Sequence, residues 1–127
     1  MNPMSIRESN ILAIEDDPVL GAHLHEELQR GGFKVTWCKN GRDALDAARA
    51  SSFDVVLMDI VMPGLNGFQA TRQLSRSKET KHIPVIIVTA KNQQADQVWG
   101  ERQGAKAYLV KPIDEKQLVS AISAVLN

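Results

Sequence analysis

Asp54-Val-Val-Leu-Met-Asp-Ile-Val-Met-Pro-Gly64 holds four consecutive apolar residues, Val55 to Met58, that stop at Asp59. A strand without polar alternation is apolar on both faces, the pattern of a parallel sheet covered by helices on either side. Pro84-Val-Ile-Ile-Val-Thr89 repeats it and closes on a threonine. Ile11-Leu-Ala-Ile14 ends in Glu15-Asp16-Asp17, and Ala107-Tyr-Leu-Val110 ends on Lys111. Phe33 to Cys38, rich in β-branched and aromatic residues, supplies one more strand.

Between these runs the period changes to that of helices. Pro18 suits a first helical turn behind an acidic cap at Asp17. Leu20, Leu24 and Leu28 then repeat at helical spacing, and Gly31-Gly32 ends the helix. Ala44, Leu45 and Ala48 mark a second helix, and Phe68, Thr71 and Leu74 a third after the turn Pro63-Gly-Leu-Asn-Gly67. A fourth includes Val98 and ends near Gly104; Leu118, Ala121, Ile122 and Val125 stripe a fifth. Five strands alternating with five helices predict a doubly wound α/β domain with a five-stranded parallel sheet. Residues 1–9 are expected to be a flexible tail and 10–127 the folded domain, with no output domain after the last helix.

Size and composition fit that reading. The 127 residues suit one domain, and 15 basic against 15 acidic side chains leave no net field for a dedicated nucleic-acid binder. No apolar run approaches the roughly 20 residues of a membrane span, and no signal-peptide core precedes the first strand. A cytoplasmic location is expected. The single cysteine, Cys38, is expected to be a packed thiol on a strand.

In doubly wound sheets, sites form beyond the carboxyl ends of the strands, where the strand order reverses. Glu15, Asp16, Asp59, Thr89 and Lys111 all stand there. Taken singly, such an aspartate is often a helix cap, the threonine an ordinary strand residue and the lysine a solvated one. Together they need a reason. Two carboxylates about 5 Å apart repel by roughly 3 kcal/mol at an effective dielectric near 20, a large sum in a domain stable by about 5–15 kcal/mol. A cation relieves this, and oxygen-only ligands suit Mg²⁺, with Mn²⁺ as the second choice. The absence of His or Cys from the set argues against zinc. Acids, metal, a hydroxyl and a lysine form a phosphoryl-transfer set, with Asp59 at the centre of the sheet as the carboxylate nucleophile.

These motifs resemble the response-regulator receiver family, of which the CheY type is the simplest form, from about Asn10 to Asn127. The resemblance rests on Ile11-Leu-Ala-Ile-Glu-Asp-Asp17, the Asp54–Gly64 stretch, Pro84-Val-Ile-Ile-Val-Thr-Ala90 and Tyr108-Leu-Val-Lys-Pro112. It implies a flavodoxin-like (βα)5 fold with strand order 2-1-3-4-5. It implies phosphorylation at Asp59, Thr89 and Lys111 as the hydroxyl and lysine that meet the phosphoryl group, and Tyr108 as the aromatic switch. Asp16 would bind the metal directly and Glu15 through water, with Asp59 and the backbone carbonyl of Val61 completing the protein ligands. Lys111-Pro112 would be cis. The partners implied are a sensor histidine kinase or phosphotransfer protein and a downstream protein target met through the fourth helix, fifth strand and fifth helix. No DNA or membrane contact is implied, and the chain is expected to be a monomer or weak dimer. Val61 to Leu74 and Val98 to Leu109 look most like single-domain regulators of twitching motility, the PilH type.

Other readings share some of these features. A flavodoxin-type electron carrier needs a Ser/Thr/Gly-rich phosphate loop where this chain places three acids. An aspartyl-nucleophile phosphatase usually has a second acid two residues past the nucleophile, where Val61 stands. A pseudo-receiver that is never phosphorylated, or a phosphate sink, would keep the same fold. His23 and His25, two residues apart, do not share a helical face; with His82 they are expected at the surface. Trp99 is expected in packing or at a partner surface.

Overall fold

The strands observed are β1 (Asn10–Ile14), β2 (Lys34–Cys38), β3 (Val55–Met58), β4 (Val85–Thr89) and β5 (Ala107–Val110). All pair in parallel, in the order β2-β1-β3-β4-β5. The helices are α1 (Pro18–Arg30), α2 (Gly41–Ala50), α3 (Gly67–Arg76), α4 (Gln94–Arg102) and α5 (Glu115–Leu126). These come from a computed structural model that describes residues 8–62, 64–91 and 93–126. Residues 1–7 of the expected tail lie outside the described residues, as do Pro63 of the expected turn and Asn127. Ser9 is already buried, and its carbonyl accepts a hydrogen bond from Lys34 N–H.

The period of two along the strands builds two apolar layers. Leu12, Ile14, Val56 and Met58 face Ala44, Leu45 and Ala48 of α2 and Ala70 and Leu74 of α3. Ile11, Ala13, Val55 and Leu57 face the opposite way, onto Leu28 of α1 and Leu118 and Ile122 of α5. Each large side chain removed from water contributes about 1.5–3 kcal/mol, so these layers hold the strand ends in place. α4 is attached more lightly. Its one buried residue is Gly100, and no side chain caps its N-terminus.

Local chemistry sets the helix starts. Asp17 caps α1, its side chain accepting from Val19 N–H and Leu20 N–H at 2.9 and 3.1 Å. Asn66 and Gln69 form a reciprocal capping box at α3. The three leucines at helical spacing lie on α1 as expected, but not all reach the core. Leu20 is 46% exposed and not part of the core. It sits in the first turn of α1 and borders a groove with Pro112 and Ile113. The apolar stripe of α1 therefore reaches the core at Leu28, with Leu24 half-buried against it.

Candidate functional site

The carboxyl ends of β1 and β3 lie side by side, and Asp59 N–H donates to the carbonyl of Ile14. That backbone bond draws the residues after the two strands together. Glu15, Asp16 and Asp59 each bring a carboxylate oxygen to within 4.8 Å of the others. Glu15 and Asp59 are buried, at 2% and 6% exposure, while Asp16 reaches solvent.

Lys111 enters from the end of β5. Its Nζ donates to Glu15 Oε1 and lies 3.4 Å from Asp59 Oδ2. The other Asp59 oxygen, Oδ1, accepts from Val61 N–H at 3.1 Å. Both oxygens of Asp59 are thus oriented, one by a backbone donor and one by a cation. Val61 stands on the rim with its side chain 53% exposed. Thr89, fully buried at the end of β4, accepts Lys111 N–H at its carbonyl, 2.8 Å, and makes a long 3.5 Å contact from Oγ1 to Lys91 N–H. Tyr108 lies one step further out. Its side chain packs against the cluster of Ile60, Ile87 and Ala105, and its hydroxyl donates to the Lys91 carbonyl at 2.8 Å. The Lys111-Pro112 peptide is cis.

The structure therefore gathers Glu15, Asp16, Asp59 and Lys111 into one cluster. Thr89 is linked to that cluster through Lys111, and Tyr108 to Thr89 through Lys91. The histidines lie outside that cluster: His23 faces Glu27 at 3.7 Å, His25 is half-buried and not fully at the surface as expected, and His82 is exposed.

The electrostatics of the cluster are unbalanced without an added cation. Burial, then the hydrogen bond with Asp59, pushes the Glu15 carboxyl up to about 7, although Lys111 pulls the other way. Burial works against the Lys111 charge, but its hydrogen bond to Glu15 and the field of Asp59 outweigh it and hold its pKa above the ordinary lysine value. Burial, with Asp96 and Asp59 nearby, pushes the Tyr108 phenol up to about 12, so it remains a hydrogen-bond donor. Three carboxylates facing one lysine leave negative charge uncompensated. An oxygen-donor set of this size, partly open to solvent, fits a divalent ion that keeps some of its waters, as Mg²⁺ does.

Three features of the site were not legible from the motifs. Gly67, the first residue of α3, passes so close to the Asp59 carbonyl that a Cβ there would lie 2.1 Å from it. Trp37 Nε1–H donates to the Glu15 carbonyl at 2.9 Å. Gly21 leaves the space for that indole, since a Cβ would lie 2.0 Å from the ring. A glycine inside a helical pattern is a signal of close approach, but the pattern does not name what approaches.

Residues 11–123 match the family described as response regulator receiver domain. Protein PilH of Pseudomonas aeruginosa is 54% identical over 118 residues, spanning 93% of this chain and 98% of that protein. Chemotaxis protein CheY4 of Vibrio cholerae superposes with a TM-score of 0.88 at 28% identity, covering 94% of this chain and 99% of the other. A receiver domain of a Pseudomonas aeruginosa PAO1 sensor histidine kinase, solved with a magnesium ion coordinated in its active site cleft, superposes with a TM-score of 0.87 at 29% identity, covering 94% and 98%. Transcriptional regulators among the curated relatives are longer, and the chain spans 40–56% of their length. No helix among the described residues is long and apolar enough to cross a membrane.

Proposed function

The chain belongs to the response regulator receiver family, and on that premise we propose that it is a phosphoryl-accepting switch whose nucleophile is Asp59. The observation that carries this reading is the convergence of Glu15, Asp16, Asp59 and Lys111 within one small cluster. Members of the family are signalling regulators, not enzymes of the ordinary kind. The chemistry is therefore one transfer, followed by hydrolysis in which water takes the phosphoryl group as inorganic phosphate and the Asp59 carboxylate is restored.

In that transfer a carboxylate oxygen of Asp59 attacks the phosphorus of a phosphohistidine on a sensor kinase or phosphotransfer protein. The new O–P bond forms as the P–N bond breaks, and its electron pair returns to the histidine ring. Val61 N–H holds Oδ1, so the carboxylate keeps one orientation during attack. Lys111 lies beside Oδ2 and stabilises the charge that spreads over the phosphoryl oxygens. Glu15, Asp16, Asp59 and the Val61 carbonyl are the groups that would hold Mg²⁺ (or Mn²⁺). When bound, the ion neutralises phosphoryl charge that one lysine cannot.

The product adds charge near −2 and three acceptor oxygens. Lys111, now held by Glu15, gains a stronger partner at the phosphoryl group. Thr89 offers its hydroxyl to the same oxygens, and movement there reaches Lys91, whose carbonyl holds Tyr108. α4 is lightly anchored, and Val98 and Trp99 on it are exposed. These features support readout through α4, β5 and α5 to a protein partner. The likeness to PilH supports a place in chemosensory control of type IV pilus twitching motility. Incubation with a phosphohistidine donor and Mg²⁺ should add one phosphoryl group to the wild-type chain and none to Asp59→Asn. Equal labelling of the two would overturn the reading.

A further inference from the structure

Glu15 is the first residue beyond β1, and its main chain is held on both sides. Its N–H donates to the carbonyl of Cys38 on the neighbouring strand at 3.1 Å. Its carbonyl accepts from Trp37 Nε1–H at 2.9 Å. The second bond is unusual in kind, because a side chain of edge strand β2 does what the backbone ladder does one residue earlier. The Glu15 carbonyl belongs to the same peptide plane as the Asp16 N–H. Holding that plane sets the direction in which Asp16 leaves the strand, and with it the spacing between the Asp16 and Glu15 carboxylates.

The indole is built into this position. α1 offers it a notch at Gly21, where any Cβ would lie 2.0 Å from one ring carbon and 2.3 Å from another. A glycine within a helix costs about 1 kcal/mol relative to alanine, so the notch has a price that space for the ring explains. Lys39, just past β2, places its Nζ over the ring, 5.8 Å from the centroid. With the ring seated in the notch, the indole N–H meets the carbonyl of residue 15.

We infer that Trp37 is a positioning residue for the acidic pair Glu15 and Asp16, acting through its hydrogen bond to the peptide that joins them. The inference rests on the metal-assisted reading of the site given above. Groups one shell removed from a metal ligand commonly change affinity by about 10–100-fold when removed. The Trp37 bond is to the backbone that joins the two acids, one step further from the ion, so its removal should act at the low end of that range.

The test replaces Trp37 with β-(3-benzothienyl)alanine, which keeps the ring shape and loses the N–H, in a Trp99→Phe background. Mg²⁺ affinity is measured by calorimetry, and unfolding is followed in EDTA. The inference expects Mg²⁺ binding weaker by roughly tenfold with the fold retained. Gly21→Ala, which displaces the ring while leaving its N–H intact, should weaken Mg²⁺ by a similar factor. In Trp99→Phe alone, indole emission should change on adding Mg²⁺, because the reporting N–H is bonded to a ligand residue. Mg²⁺ affinity within twofold of the parent in the benzothienyl protein, or a silent Trp37 emission, would overturn the inference and leave the phosphoryl reading standing. A wild-type chain that binds no Mg²⁺ would overturn the metal reading and this inference with it.

Discussion

Asp59→Asn should stabilise the metal-free protein, although it removes the carboxylate proposed to take the phosphoryl group. The carboxylate oxygens of Glu15, Asp16 and Asp59 lie within 4.8 Å of one another. At that distance and an effective dielectric near 20, each ionised pair costs about 3.5 kcal/mol. Removing the Asp59 charge relieves two such pairs, about 7 kcal/mol. It also forfeits the attraction of Lys111 Nζ at 3.4 Å, worth about 5 kcal/mol by the same rule. The asparagine carbonyl still accepts Val61 N–H, so that bond survives. The balance is about 2 kcal/mol in favour of the variant, lowered towards 1 kcal/mol because Asp16 faces solvent. The assay is urea unfolding at pH 8 and low salt, first in EDTA and then in millimolar Mg²⁺. In EDTA the midpoint should rise in Asp59→Asn. In Mg²⁺ the order should narrow or reverse, since the wild type gains binding energy that the variant has lost. A variant less stable than wild type by 1 kcal/mol or more in EDTA would show that Lys111, and not the carboxylate repulsion, dominates the cluster.

The remaining expectations concern single groups. The Glu15 carboxyl is pushed up to about 7 from an ordinary 4.5, so the folded state holds its proton more tightly than the unfolded chain. Its contribution is therefore complete below about pH 4.5 and is lost as pH rises through about 7, a change on the order of 3 kcal/mol. In EDTA, wild type should lose stability between pH 5 and 8 relative to Glu15→Gln; parallel pH curves would contradict this. Lys111→Ala should retain Mg²⁺ binding but lose the phosphorylation-dependent change in the α4–β5–α5 surface, read by amide exchange with and without a phosphodonor. A full surface change in that variant would remove the coupling role given to Lys111. Val61 cannot orient an attacking water through its apolar side chain, so Val61→Asn should speed loss of the phosphoryl group several-fold. An unchanged decay rate would count against that.

How far the sequence reads depends on whether a feature repeats. Ile11 to Ile14, Val55 to Met58 and Val85 to Thr89 are dictated by apolar continuity, and the sheet order follows the expected 2-1-3-4-5. Glu15, Asp16, Asp59 and Lys111 are legible because they end strands, and strand ends of a parallel sheet share one edge. Single contacts between distant residues carry no periodic signal. The Trp37 bond to the Glu15 carbonyl spans 22 positions. Its partner Gly21 looks like an ordinary weak spot in a helix until the ring is seen. Leu20 shows the limit of periodicity alone. It keeps the helical period of Leu24 and Leu28, but the first turn of α1 borders a groove and not the core. α4 is the hardest element to read, because its attachment is a glycine packed near Ile87 Cδ1, where a Cβ would come within 2.7 Å, and not an apolar stripe.

The central claim is that Asp59, among all the acids of the chain, forms the bond to phosphorus. Borohydride cleaves an aspartyl phosphate by reducing its acyl carbon to an alcohol, which converts the residue to homoserine and leaves unmodified carboxylates intact. After phosphoryl transfer in Mg²⁺ and borohydride treatment, peptide mass mapping should find homoserine at position 59 and aspartate elsewhere. Homoserine at position 16, 17 or 54, or unreduced aspartate at 59 in a chain that has taken up phosphate, would contradict the account.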